Sequence, residues 1–167
     1  MHVRSSIALV VLVACSRDDA REVRGSAAGS PPPTAPAAAT GHVEIIDAPA
    51  TGDVASYVAG ELGIAARDKL PVLVYVGATW CEPCRDFHAA ADRGELDPQL
   101  GALRLLEFDL DRDADRLEAA GYKSSLVPLF AKPGADGRAS GQQTDGVKTG
   151  GRYVEQLVPR VKALAGP

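Results

Sequence analysis

Trp80-Cys81-Glu82-Pro83-Cys84 stands between two segments of different pattern. Before it, Pro71-Val72-Leu73-Val74-Tyr75-Val76-Gly77-Ala78 is a near-continuous apolar run, as expected of a strand covered on both faces. After it, Arg85-Asp86-Phe87-His88-Ala89-Ala90-Ala91 reads as a helix that fades around Gly94. Two thiols three positions apart at the mouth of a helix make a reversible dithiol/disulfide switch. A strand that runs through Cys-x-x-Cys into a helix is the context in which the motif means redox chemistry rather than metal binding.

Working outward, Val43 to Asp47 is a short strand. Asp53 to Lys69 is helical, with Val54, Tyr57, Val58, Leu62 and Ala65 on one stripe and Asp53 placed to cap its start. Leu103 to Leu110 has near-strand period and Glu107 within it; Arg112 to Gly121 is a polar helix ending at a glycine. Val127-Pro128-Leu129-Phe130-Ala131 is a strand with a proline near its start. The turn Gly134-Ala135-Asp136-Gly137 sends Arg138 to Val147 back antiparallel. Gly151 to Ala165 closes the chain as an amphipathic helix burying Tyr153, Leu157, Val161 and Leu164, with Pro159 predicting a kink or a late start.

The 167 residues suffice for one domain. The net charge is −4 and no basic stripe is present, which argues against nucleic acid as a partner. At the N-terminus, Met1-His2-Val3-Arg4 is positive and Ile7 to Ala14 is apolar. That run is too short to span a bilayer, which takes about 20 residues; charge followed by a short apolar run is the layout of a secretory signal. Leu12-Val13-Ala14-Cys15 resembles the lipobox of bacterial lipoproteins. The resemblance implies removal of residues 1–14 as a signal peptide and lipid attachment to Cys15, which would account for the third cysteine; an unmodified or lost Cys15 is the plain alternative. Residues 15–41 then form a lipidated cysteine and a Pro-, Ala- and Gly-rich tether without helical or strand period, and residues 42–167 form the folded domain.

The element order, Trp80-Cys81-Glu82-Pro83-Cys84 and the distant Val127-Pro128 together resemble the thioredoxin-like family over essentially the whole of residues 42–167. Cys84-Arg85-Asp86-Phe87-His88 followed by Asp97-Pro98-Gln99 looks most like the domains of extracytoplasmic thiol:disulfide interchange proteins. The expected fold is α/β, a central mixed sheet flanked by helices. The resemblance implies a redox-active disulfide between Cys81 and Cys84, and a cis-proline at Pro128 facing it. Trp80, Val127 and Pro128 are then the substrate-binding residues, Trp80 as a wall and Val127 through backbone groups that pair with an extended segment.

Thiolate, not thiol, attacks a disulfide. Cys81 at the helix N-terminus gains from unpaired N–H groups and the positive dipole end, which makes it the nucleophile. Cys84, one turn on and expected to be more buried, resolves the mixed disulfide. Glu82 opposes the dipole at Cys81. The family carries a buried acid before the active site where this chain has Tyr75. Two residues offer proton transfer instead: His88, four after Cys84 on the same helical face, and Glu107 in the next strand. A half-buried histidine with a structural hydrogen bond and a surface-facing strand glutamate are their ordinary roles.

The expected activity is thiol-disulfide oxidoreduction on protein thiols and disulfides, in the reducing direction, by a protein lipid-anchored in the bacterial periplasm and supplied by an upstream donor such as a membrane thiol reductant system. Dithiol exchange calls for no cofactor and no metal. The alternatives are a disulfide-donating oxidase, a metal-binding chaperone using Cys81, Cys84 and His88, and a non-catalytic adaptor whose disulfide braces the fold.

Overall fold

The computed structural model describes residues 41–146 and 151–166. The expected signal peptide, Cys15 and residues 16–40 of the tether lie outside them. In chain order the elements are β1 (Val43–Asp47), α1 (Val54–Asp68), β2 (Val72–Gly77), α2 (Glu82–Asp92), α3 (Asp97–Leu100), β3 (Leu103–Asp109), α4 (Leu110–Ala119), β4 (Leu129–Pro133), β5 (Ala139–Asp145) and α5 (Tyr153–Ala165). The sheet order is β1-β3-β2-β4-β5. β1 and β2 run parallel to β3, β4 is antiparallel to β2, and β5 is antiparallel to β4. A mixed five-stranded sheet of this order, with helices on both faces and Cys-x-x-Cys leading from its central strand into a helix, is the thioredoxin fold.

Every residue of β2 is buried, because both its neighbours and both its faces are occupied. Side chains alternate across a strand, and the two cores divide accordingly. Leu73, Tyr75, Leu103, Leu105 and Phe130 face α2 and α5, where they meet Phe87, Leu157, Val158 and Val161. Val72, Val74, Val76, Leu106, Phe108 and Leu129 face α1 and α4, against Val54, Val58 and Leu117. Tyr75, Phe87 and Phe130 form an aromatic triangle with ring centroids 5.0 to 5.9 Å apart, each such pair adding about 1 kcal/mol beyond its area.

Four local differences from the sequence reading have physical causes. α4 starts at Leu110, ahead of Arg112, because the Asp109 side chain caps it by accepting the Arg112 N–H at 2.9 Å. β4 starts at Leu129, after Pro128, which has no N–H to give to a ladder. A short helix, α3, lies where no element was read; Asp97 at its start also accepts the Val43 N–H and the His42 Nδ1 contact, tying it to β1. α5 runs through Pro159 as one helix, with Leu157, Val158 and Val161 fully packed around it, so burial outweighs the lost hydrogen bond. Asp53 caps α1 as expected, accepting the Ser56 N–H at 2.7 Å.

The turn that carries β3 into α4 is held by Asp113, whose side chain is wholly buried. It accepts hydrogen bonds from Arg112, from Arg116 and from the Asp109 N–H. Arg116 continues to the carbonyls of Pro49 and Gly52, binding the β1–α1 loop to α4. Burial pushes the Asp113 carboxyl up, but the two arginines and the amide outweigh it and hold it below the usual carboxylate range. Asp113→Asn should therefore lower stability in urea unfolding by about 3 kcal/mol near neutral pH. A group with a lowered folded pKa contributes fully above its unfolded value, about 3.9, and loses that contribution as the pH falls through the folded value. The gap between wild type and variant should close in acid; a gap that widens there would contradict this account.

Candidate active site

Gly77 ends β2 and α2 begins at Glu82, so the loop between them delivers Cys81 to the helix N-cap. Cys81 is extended (φ −79°, ψ 106°), and its Sγ accepts the Cys84 N–H at 3.2 Å. Its own N–H donates to the Ala78 carbonyl at 3.0 Å. Pro83 occupies the first turn, where a missing N–H costs nothing. Cys81 and Cys84 are joined as a disulfide with Cα atoms 5.2 Å apart. The expected difference in burial between the two is not present: each is 3% exposed, because both sulfurs lie against the α2-side core, which includes Phe87 and Ala78. The sulfur that accepts an N–H from the helix mouth is the one whose thiolate the helix stabilises.

Trp80 is the exposed neighbour of this pair. The residue is 61% exposed, and its Nε1 donates to Asp111 Oδ2 at 2.9 Å. It is thus a surface aromatic pinned at one edge rather than a core residue. Asp111 was not legible as a site residue. The signal that could have found it is topological: β3 is parallel to β2, so the start of α4 must lie beside the loop that carries the cysteines. Arg85 was missed likewise; its Nη1 donates to the Thr79 carbonyl at 3.2 Å and braces the same loop from the other side.

The Val127–Pro128 peptide is cis. Val127 packs against both cores, and Gly146 lies so close that a Cβ there would stand 2.5 Å from the Val127 carbonyl oxygen. Only glycine permits that approach at the end of β5. The Ser124 hydroxyl accepts the Leu126 N–H at 3.0 Å and lies 2.8 Å from Asp145 Oδ2, which holds the segment before Pro128 to β5.

On the α2 side of the sheet, Tyr75 and Glu107 are register partners across β2 and β3. Glu107 is two residues beyond Leu105 and shares its face, so it turns inward rather than to the surface; its side chain is 21% exposed. Its Oε1 is 2.8 Å from His88 Nε2. That hydrogen bond raises the His88 pKa above its ordinary value; burial opposes the rise, and the charges of Glu107, Asp92 and Asp47 add to it. Tyr75 is fully buried, its ring 5.5 Å from that of His88. Burial first, and Glu107 second, push its phenol far above the ordinary value, so Tyr75 keeps its proton. Cys84, Arg85, His88, Asp92, Glu107 and Asp109 share a cavity of about 350 Å3. Among the described residues, no three His, Cys, Asp or Glu side chains are grouped to hold a metal ion.

No family model matches the chain, and no curated protein matches it. Solved structures do. The chain is similar to wild-type thioredoxin h from poplar at 23% identity, over 74% of this chain and 96% of that one, with a TM-score of 0.46. It is similar to a mutant thioredoxin from Halobacterium salinarum at 19% identity, over 78% and 97%, with a TM-score of 0.44. Oxidised thioredoxin O1 from Arabidopsis thaliana gives 18% identity over 75% and 99%, with a TM-score of 0.43.

The Glu82 side chain is exposed in the first turn of α2, beside the Cys81 cap. Its charge works against a thiolate there. In the reduced protein, Glu82→Gln should lower the Cys81 pKa by up to about one unit, read from thiolate absorbance against pH. No change, or a rise, would remove Glu82 from the account.

Proposed function

We propose that this protein is a thiol-disulfide oxidoreductase that passes two electrons from a Cys81/Cys84 dithiol to disulfides of other proteins. The observation that carries the reading is the position of Cys81: N-cap of α2, its sulfur accepting the Cys84 N–H, with the exposed Trp80 beside it. Cys81 is the nucleophile and Cys84 the resolving thiol. Trp80, Val127 and Pro128 form the substrate surface, with Val127 offering backbone groups to an extended segment. The reducing direction is supported by the resemblance of the Cys84 to His88 and Asp97 to Gln99 stretches to thiol:disulfide interchange domains, and it requires an upstream donor such as a membrane thiol reductant system.

The lipobox-like Leu12-Val13-Ala14-Cys15 supports a periplasmic location and a lipid anchor, with residues 1–14 removed, Cys15 lipidated and residues up to 41 serving as tether to the domain at 42–167. At about 0.8 kcal/mol per buried CH2, several acyl chains would hold the protein stably on a membrane. Fully extended at about 3.1 Å per residue, the tether reaches about 80 Å.

Cys84→Ser removes the resolving thiol and should accumulate substrates as mixed disulfides on Cys81, released by dithiothreitol and seen as mobility shifts on non-reducing gels. A folded variant that traps nothing from whole cells would count against thiol exchange. Separately, Cys15→Ser should move the protein from the membrane to the soluble fraction; if it stays with the membrane, the anchor lies elsewhere.

A further inference from the structure

The position where the resemblance leads one to expect an acid holds a tyrosine that keeps its proton, yet the resolving thiol must still lose one. Resting on the thiol-exchange reading above, we propose that His88, oriented by Glu107, is the proton acceptor for Cys84. Three features of the structure carry this. Cys84 and His88 lie one helical turn apart on the same face of α2 and line one cavity. Glu107, brought there by its register with Tyr75, binds His88 Nε2 at 2.8 Å. With Nε2–H donated to the carboxylate, Nδ1 is the basic nitrogen, and it has no hydrogen-bond partner among the described residues. His88, Asp92 and Glu107 also line a second cavity of about 340 Å3, bounded by His42, Glu44 and Asp47 on the β1 side. The pair therefore borders both the cavity that Cys84 lines and a second one that Cys84 does not, a route by which a proton can leave.

The step balances as follows. Cys81 Sγ is bonded to a substrate sulfur. The Cys84 Sγ–H proton passes to His88 Nδ1, directly or through water in the cavity. The Cys84 thiolate attacks Cys81 Sγ, the Cys81–substrate bond breaks, and the substrate sulfur departs with the electron pair as thiolate. The protein is left with the Cys81–Cys84 disulfide and an imidazolium, which Glu107 stabilises. Other groups face the imidazole: Asp92 from α2, Asp47 from β1, the Tyr75 ring from β2, and Arg85 and Asp109 at the cavity rim. A carboxylate is in general a far weaker base than the thiolate of a thiol with a free pKa of about 8.5; an imidazole raised by Glu107 is a closer match. In this arrangement Glu107 is a positioning residue.

The test uses the reduced protein and dithiobis-nitrobenzoate in stopped flow. Attack by Cys81 releases one coloured thiolate, and resolution by Cys84 releases the second. In the wild type the second release should rise with pH along a limb set by His88. His88→Gln should slow the second release about 100-fold near neutral pH, the lower end of what a positioned base supplies, slow the first far less, and abolish the limb. Glu107→Gln, which keeps the ring and removes the charge that raises its pKa, should move the limb to lower pH. Arg93→Gln, paired to Glu95 just past the C-terminal end of α2 and lining neither cavity, is the control and should alter neither release. An unchanged second release in His88→Gln, or a limb that stays in place or moves up in Glu107→Gln, overturns the proposal; if His88→Gln does not fold, the Glu107→Gln limb decides alone. Absence of either release from the wild type is a different result, which rejects the dithiol reading itself.

Discussion

Complete burial of β2 is the constraint from which the rest of the molecule follows. In a strand hydrogen-bonded on both edges and covered on both faces an unpaired polar group costs free energy, so its residues are apolar almost throughout, and Tyr75 carries the one side-chain polar atom. Its alternation sorts the molecule into two cores, with α2 and α5 on one side and α1 and α4 on the other. Because the strand cannot shift, the loop leaving its end is fixed too. That loop turns Cys81 into the cap of α2, where a backbone N–H meets its sulfur. The chemistry of the motif depends on that cap, and the cap depends on the strand.

The same rigidity explains where polar groups are tolerated. Tyr75 fills the middle of β2 with an aromatic body that packs on Phe87 and Phe130; among the described residues its hydroxyl has no partner. A Cβ on Gly77 would stand 3.1 Å from that hydroxyl and 3.5 Å from Glu107 Oε1, so phenol and carboxylate converge at the strand end. Glu107 is accommodated on this face because it lies near the C-terminal end of β3, where the core opens into cavities, and because His88 reaches it from α2. Burying a carboxylate without such a partner would cost several kcal/mol. Asp113 solves the same problem on the opposite side of the sheet with two arginines and an amide.

Much of the fold was legible in the sequence because its signals are local. The apolar run of β2, the stripe of α1, the Asp53 cap and the turn at Gly134 to Gly137 each depend on residues close in the chain, and each element was found close to its observed bounds. The misreadings also have a common cause. The early start of α4 depends on Asp109 serving as both strand end and helix cap. The passage of α5 through Pro159 depends on burial against other elements. The partner of Trp80 and the inward turn of Glu107 depend on β3 lying beside β2, a neighbour 30 or so residues away in sequence.

What the sequence by itself determined is the dithiol and its setting: two cysteines one turn apart, a buried strand before them, a helix after them, and far downstream a strand that Pro128 leads into. Periodicity and turn chemistry encode these, since they act over a few residues. Only the tertiary structure decided that both sulfurs are equally buried, that Trp80 is held at the surface by Asp111, and that Glu107 meets His88 beside Cys84. Those outcomes are set by the parallel register of β2 on β3 and by the face that α2 presents to it, and a register between distant strands leaves no mark within either strand's own residues.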